Sequence, residues 1–317
     1  MGPRQAAAVG VLCLAPLLSA CSGAGPGPTP TPSPTGAVTS PSPAPPGASP
    51  SPPPQSALAG CPAHPAAAAS LSVLWRAGGA DDLATAPGGG LWVSYSASLV
   101  AHVVAGAVTR VIRGISVPEG LVALPDGDLV VAEQGRQRIL VVHPDGTRTV
   151  LLTLPSAGGQ LGVDGIGWDP QANRVLVPDS PHGTLLSVPL DQPGHATTLA
   201  TGLPRVVGVE PAADGDGLYL AAEAEAPRGL LVLSGPGPAR PRGDLAQLDD
   251  VVLTGGLLYA TDLRNGSLDA VDPATGAERT IATGFGEPQG LAVLDDGGLA
   301  VADEKRGLVQ RIAPCGG

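Results

Sequence analysis

From residue 70 onward the apolar residues fall in short runs separated by turns rich in Gly and Asp, and one layout recurs six times. Each unit holds an apolar strand, a turn, a β-prone strand ending near an acid, and then further amphipathic strands. The second strands are the clearest. They begin at Leu91 (LWVSY), Leu129 (LVVAE), Val175 (VLVPD), Leu218 (LYLAA), Leu258 (LYATD) and Leu299 (LAVAD), at separations of 38, 46, 43, 40 and 41 residues. Large and β-branched residues bounded by turn formers read as strands, and Asp-Gly steps at 126–127, 145–146 and 296–297 mark hairpins. A third strand follows each second one, and fourth strands follow in the first five units, at 107–112, 147–152, 196–201, 239–245 and 277–282. Four short strands in a repeat of about 40 residues describe a β-propeller blade, so the pattern predicts an all-β, six-bladed propeller.

The sixth unit stops at Cys315 without a fourth strand. Residues 71–75 (LSVLW) form an otherwise unpaired strand at the other end of the domain. Antiparallel to the last strand, it completes blade six and closes the ring. Cys61 and Cys315 then lie just beyond the two paired ends. Of the four cysteines these two alone flank the repeats, and they are expected to pair as a disulfide.

Before the repeats the character changes. No Asp, Glu, Lys or Arg lies between Arg4 and Arg76. One basic residue, an apolar run from Ala6 to Leu18 and then small residues read as a secretory signal over residues 1–20, too short to span a bilayer comfortably. The run ends in Leu18-Ser19-Ala20-Cys21, which resembles the bacterial lipobox. That resemblance implies cleavage before Cys21 and a diacylglyceryl anchor on it, hence a chain held outside the cytoplasm on the cell membrane. Residues 21–60 are mostly small and hold 13 prolines after Cys21. Such a segment buries nothing and is expected to be a disordered spacer, reaching roughly 120 Å at about 3.1 Å per residue. The propeller is then expected over residues 61–317.

Over the whole chain, 46 Gly and 36 Pro argue against a helical bundle. A net charge of −11 argues against a nucleic-acid-binding surface. No G-x-S-x-G, H-E-x-x-H, C-x-x-C or P-loop pattern occurs. Nothing predicts association, and a monomer is expected.

Pro118-Glu119-Gly120-Leu121 through Asp126-Gly127 to Val131-Ala132-Glu133 resembles an NHL repeat, as does Pro288-Gln289-Gly290-Leu291 through Asp296-Gly297 to Val301-Ala302-Asp303. Asp164-Gly165-Ile166-Gly167-Trp168 to Asp179-Ser180 is similar to a signature of the regucalcin/gluconolactonase family. Both resemblances imply six-bladed propellers in which residues entering the innermost strands face a central channel. Those positions are expected to be Asp82, Glu119, Asp164, Arg205, Asp250 and Gln289, joined from the loops after the second strands by Tyr95, Glu133, Asp179, Glu223, Asp262 and Asp303. Converging carboxylates suit a hard cation such as calcium, or zinc. The family's lactonases are understood to hold one divalent metal with a Glu, an Asn and an Asp. Carried over, these fall near Asp82, on Asp164 and on Arg205. A guanidinium at the third place can neither ligate nor accept a proton. The resemblance therefore leaves a divalent site at Asp82 and Asp164 as one expectation, and acids that cap turns and face water as another. The functional expectation is a module that binds a small molecule or a protein through its acidic channel face, with a metal-dependent lactonase as the alternative.

Overall fold

The computed structural model describes residues 57–316 apart from residues 77, 97 and 236. The signal sequence, Cys21 and nearly all of the Pro-rich segment lie outside the described residues. Blade one comprises Ala80–Thr85, Leu91–Tyr95, Leu99–Val104 and Ala107–Arg113. Blade two comprises Pro118–Ala123, Leu129–Glu133, Arg138–Val142 and Arg148–Thr153. Blade three follows with Gly167–Asp169, Arg174–Asp179, Thr184–Pro189 and Thr197–Thr201, and blade four with Val206–Pro211, Gly217–Ala222, Leu230–Ser234 and Arg240–Pro241. Blade five comprises Leu248–Thr254, Leu257–Asp262, Ser267–Val271 and Glu278–Thr283. Blade six comprises Pro288–Val293, Leu299–Asp303 and Leu308–Ile312, completed by Ser72–Arg76. Every pairing among these four-strand sets is antiparallel, and the innermost strands of successive blades lie side by side, the sixth against the first.

The apolar core is six seams, one between each pair of blades. Ala84, Trp92 and Val100 of blade one meet Leu121, Leu129 and Leu140 of blade two. At the closure, Leu83, Val93 and Ala101 meet Ala300, Ala302 and Val309 of blade six. A strand with neighbours on both faces buries every residue, as Leu91–Tyr95 and Leu129–Glu133 do. That is why these strands read as near-continuous apolar runs. The outer strand Ala107–Arg113 has one covered face and is mostly exposed.

The ring closes as the sequence predicts: Ser72 pairs with Arg311 and Arg76 with Leu308. Cys61 and Cys315 form a disulfide across 254 residues. The lead-in is tied further. Gln310 Nε2 donates to the Ala68 carbonyl at 2.7 Å, and the Cys315 amide donates to the Tyr259 hydroxyl at 2.8 Å. One strand lies outside the expectation: Ala66–Ala67 adds parallel to Glu278–Thr283, giving blade five a fifth strand. The expected fourth strand of blade four, at 239–245, shrinks to Arg240–Pro241. Pro238 and Pro241 offer no amide to the ladder there.

Candidate functional site

The channel mouth is set by how each innermost strand begins. In five blades the pairing between first and second strands slips there, as between Ala80 and Leu83, Pro118 and Leu121, or Leu248 and Val251. Beyond the slip, Leu83, Leu121, Val209, Val251 and Leu291 all lie opposite the third residue from the end of their second strands. Counting back two residues gives one layer: Asp81, Glu119, Asp164, Val207, Asp249 and Gln289. Counting back one gives the next: Asp82, Gly120, Gly165, Gly208, Asp250 and Gly290.

This register differs from the expected one by a single residue in blades one and five. Asp82 and Asp250 belong with the glycines, and Asp81 and Asp249 take the places beside Glu119, Asp164 and Gln289. The glycine layer is where neighbouring blades touch. A Cβ on Gly165 would sit 2.0 Å from the Val207 carbonyl, and one on Gly120 would sit 2.6 Å from the Ile166 amide nitrogen. In this layer the two aspartates act as staples. Asp82 accepts from Leu83 N and, across the seam, from Leu121 N, both at 2.7 Å. Asp250 accepts from Val251 N at 2.7 Å and from Leu291 N at 2.8 Å. Burial and the nearby Asp250 push the Asp82 pKa up against those two amides. Asp250 is raised by burial to about 6, with its two amides opposing.

The other layer converges. Asp81 and Glu119 are hydrogen-bonded to each other through their carboxyls. Burial, that hydrogen bond and the charges of Asp81, Asp164 and Asp249 push Glu119 up to about 12, so Glu119 carries the shared proton. Burial and the charges of Asp164 and Asp81 raise Asp249. With its nitrogen turned toward that carboxylate, the Gln289 amide donates to Asp249 at 2.8 Å.

Blade four contributes no acid to this layer. Its place is held by Val207, and Arg205 reaches in from the loop before the strand. Arg205 Nη2 donates to Asp164 at 2.6 Å, and its Nε lies 3.0 Å from Glu223. Burial raises Asp164 to about 7 even with the guanidinium pulling it down. In this layer Arg205 compensates Asp164 and Glu223, while Asp81, Glu119 and Asp249 have no basic partner among the described residues.

Most acids closing the second strands are not part of this opening. Glu133 is fully buried, accepts from Ser116 N at 2.8 Å and pairs with Arg136 and Arg138. Asp179 holds His182 at 2.8 Å, and Asp262 holds both the amide and the side chain of Asn265 at 2.8 Å. Asp303 takes the Gly286 and Glu287 amides. Tyr95 receives Trp75 Nε1 at 2.8 Å. Glu133, Asp262 and Asp303 hold backbone amides of nearby loops, but all four acids are buried rather than facing water. Of the six, Glu223 alone meets a residue of the mouth.

Of the three positions carried over from the lactonases, Asp82 has both oxygens taken by backbone amides and Arg205 lies against Asp164; among the described residues no group of three His, Cys, Asp or Glu side chains is arranged to hold a metal ion.

Below the mouth a cavity of about 490 Å³ runs along the axis. Apolar residues from every blade line it, among them Ala84, Val122, Ile166, Val209, Val251 and Ala292. Asp82, Gly165 and Asp250 line its upper part, while Trp168 and Glu210 also line an adjoining cavity with the turn residues Gln171 and Gly255. Glu210 accepts from Leu253 N at 3.2 Å, and burial raises its pKa to about 8.

The family model for the NHL repeat matches residues 285–312. Blade six carries it. No curated protein matches the chain significantly. Solved structures match over most of the propeller. A gluconolactonase from Xanthomonas campestris superposes with a TM-score of 0.64 at 14% identity, covering 76% of this chain and 88% of that one. An auxiliary nutrient binding protein from Bacteroides thetaiotaomicron gives 0.61 at 12% identity, over 74% and 69%. A chain of a nidogen/laminin complex gives 0.55 at 20%, over 70% and 85%. At such identities the likeness establishes the fold: a six-bladed propeller with NHL character and gluconolactonase-like structural neighbours.

Proposed function

We propose that this chain is a membrane-anchored, extracytoplasmic binding module whose acidic channel mouth captures a positively charged ligand. The observation that carries the reading is the set of acids without a basic partner. Asp81, Glu119 and Asp249 enter one layer from blades one, two and five, no basic side chain pairs with them among the described residues, and the nearby guanidinium is ion-paired with Asp164 and Glu223. A cation placed there relieves like-charge repulsion in a site of low dielectric. The lipobox at Leu18-Ser19-Ala20-Cys21 and the Pro-rich spacer support attachment to the outer face of a membrane. The Cys61–Cys315 disulfide suits that oxidising compartment.

Two experiments test this. Thermal melting with putrescine and, separately, succinate should show stabilisation by the dication only, as mass action requires of a ligand that binds the folded state. Asp81→Asn with Asp249→Asn should abolish the shift. A Cys21→Ser chain should lose its lipid and leave the membrane fraction. Calcium- or zinc-dependent hydrolysis of a gluconolactone, lost in Asp164→Ala, would favour the lactonase instead.

A further inference from the structure

The cavity below the mouth is not needed to hold a small polycation, and its chemistry is different. Apolar residues from all six blades line it, among them Ala84, Val122, Ile166, Val209, Val251 and Ala292, together with Thr85 and the carboxyls of Asp82, Asp250 and Glu210, and no basic residue does. The two carboxylates that reach its upper part, Asp82 and Asp250, are fully engaged by backbone amides. They are also next in the chain to Asp81 and Asp249, so the apolar space begins directly beneath the acidic group. The volume falls within the range of small-molecule pockets.

We infer that the channel takes an amphiphilic organic amine, with its ammonium head among Asp81, Glu119 and Asp249 and its hydrocarbon body in the lumen between Ile166, Val209 and Val251. This rests on the proposed function for the head and adds the lumen as the part of the site that selects the ligand. Charge complementarity fixes the end that faces the mouth. An ammonium pushed into the lumen would be stripped of water and would meet only Asp82 and Asp250, already engaged by backbone amides, and Glu210, which holds Leu253 N and which burial raises to about 8, while hydrocarbon left at the mouth would cover charged groups. An anionic amphiphile is disfavoured because Asp81, Glu119 and Asp249 have no basic partner among the described residues and would face its head.

The test is a chain-length series on the intact protein. Ethylamine, butylamine and hexylamine are titrated by calorimetry, and Trp168 emission is followed as a reporter from inside the lumen. Burial of each added methylene should tighten binding by about fourfold until the lumen is filled. Hexan-1-ol, which has the tail without the charge, should bind at least tenfold more weakly than hexylamine. Asp249→Asn should close that gap, and Val209→Phe should weaken hexylamine while sparing ethylamine. Melting curves establish that both variants are folded. Affinity that stays flat from ethylamine to hexylamine overturns the inference and leaves the mouth as a cation site. Equal affinity for hexylamine and hexan-1-ol overturns the placement of the head. No binding by any amine overturns both this inference and the proposed function.

Discussion

Replacing Glu119 with Gln tests the electrostatics of the mouth through stability alone. Glu119 is 8% exposed. It is pushed up to about 12 by burial, by its hydrogen bond with Asp81 and by the surrounding acids, so it keeps its proton in the folded state across neutral pH. In the unfolded chain it ionises near its ordinary value of 4.5. A carboxyl whose pKa is raised by folding contributes fully below the unfolded value, and that contribution is lost as pH rises toward the folded one. The window here opens at 4.5 and runs toward about 12. Within it the folded state loses about 1.4 kcal/mol per pH unit relative to the unfolded chain. At pH 7 the accumulated loss is about 3 kcal/mol, and it depends on the unfolded value so long as the folded pKa stays well above 7. Gln keeps the shape and a donor for Asp81 but has no proton to lose. Glu119→Gln should therefore match the parent near pH 4.5 and be more stable by about 3 kcal/mol at pH 7, with the gap widening at pH 8. Urea unfolding at four pH values between 4.5 and 8 measures this. Parallel stability curves for parent and variant would refute the reasoning, since they would mean that Glu119 is ionised in the fold.

The disulfide should be worth at most about 5 kcal/mol in the chain-entropy account, given the length of loop it closes. Cys61→Ser should lower the melting temperature and free Cys315 for a thiol reagent, and equal thiol counts in the two unfolded, unreduced proteins would rule the bridge out. Gly165→Ala drives a Cβ into the Val207 carbonyl and should cost about 1–3 kcal/mol or more. Gly78→Ala, which has nothing within 4 Å, is the control, and equal melting of the two would show that the seam between blades three and four is loose. Arg205→Ala removes the charge that pulls Asp164 down, so Asp164 should titrate above its value of about 7. Carboxyl-carbon NMR follows this, and an unchanged titration would show that the guanidinium at 2.6 Å is not felt.

The sequence by itself determined the repeat and its closure. Six second strands spaced about 40 residues apart required six blades, because a strand apolar on both faces must have a blade on each side. The unpaired run at 71–75 and the two leftover cysteines required the ends to meet, and Ser72–Arg76 lies beside Leu308–Ile312 with Cys61 bonded to Cys315. Glu119 and Asp164 were also legible as facing the channel, since each precedes a Gly and leaves no rival acid in its strand entry.

Tertiary structure decided the rest. Asp81-Asp82 and Asp249-Asp250 are each a pair of identical residues at a slip in the ladder, and a one-residue change of register exchanges the faces to which they point. Only the packing of the next blade selects between them. The second member meets the amide of Leu121 or Leu291 across the seam, and the first is left to the channel. Glycines in the other blades marked that contact layer, and aligning Asp82 and Asp250 with Gly120, Gly165, Gly208 and Gly290 is the signal that could have found it. For Arg205, chain position suggested a strand entry, but Val207 takes that place and the guanidinium arrives from a loop. Whether Glu133, Asp179, Asp262 and Asp303 face ligand or backbone was likewise undecided in one dimension. A buried carboxylate binds whichever amides the fold brings to it, and those come from residues on both sides of the acid in the chain.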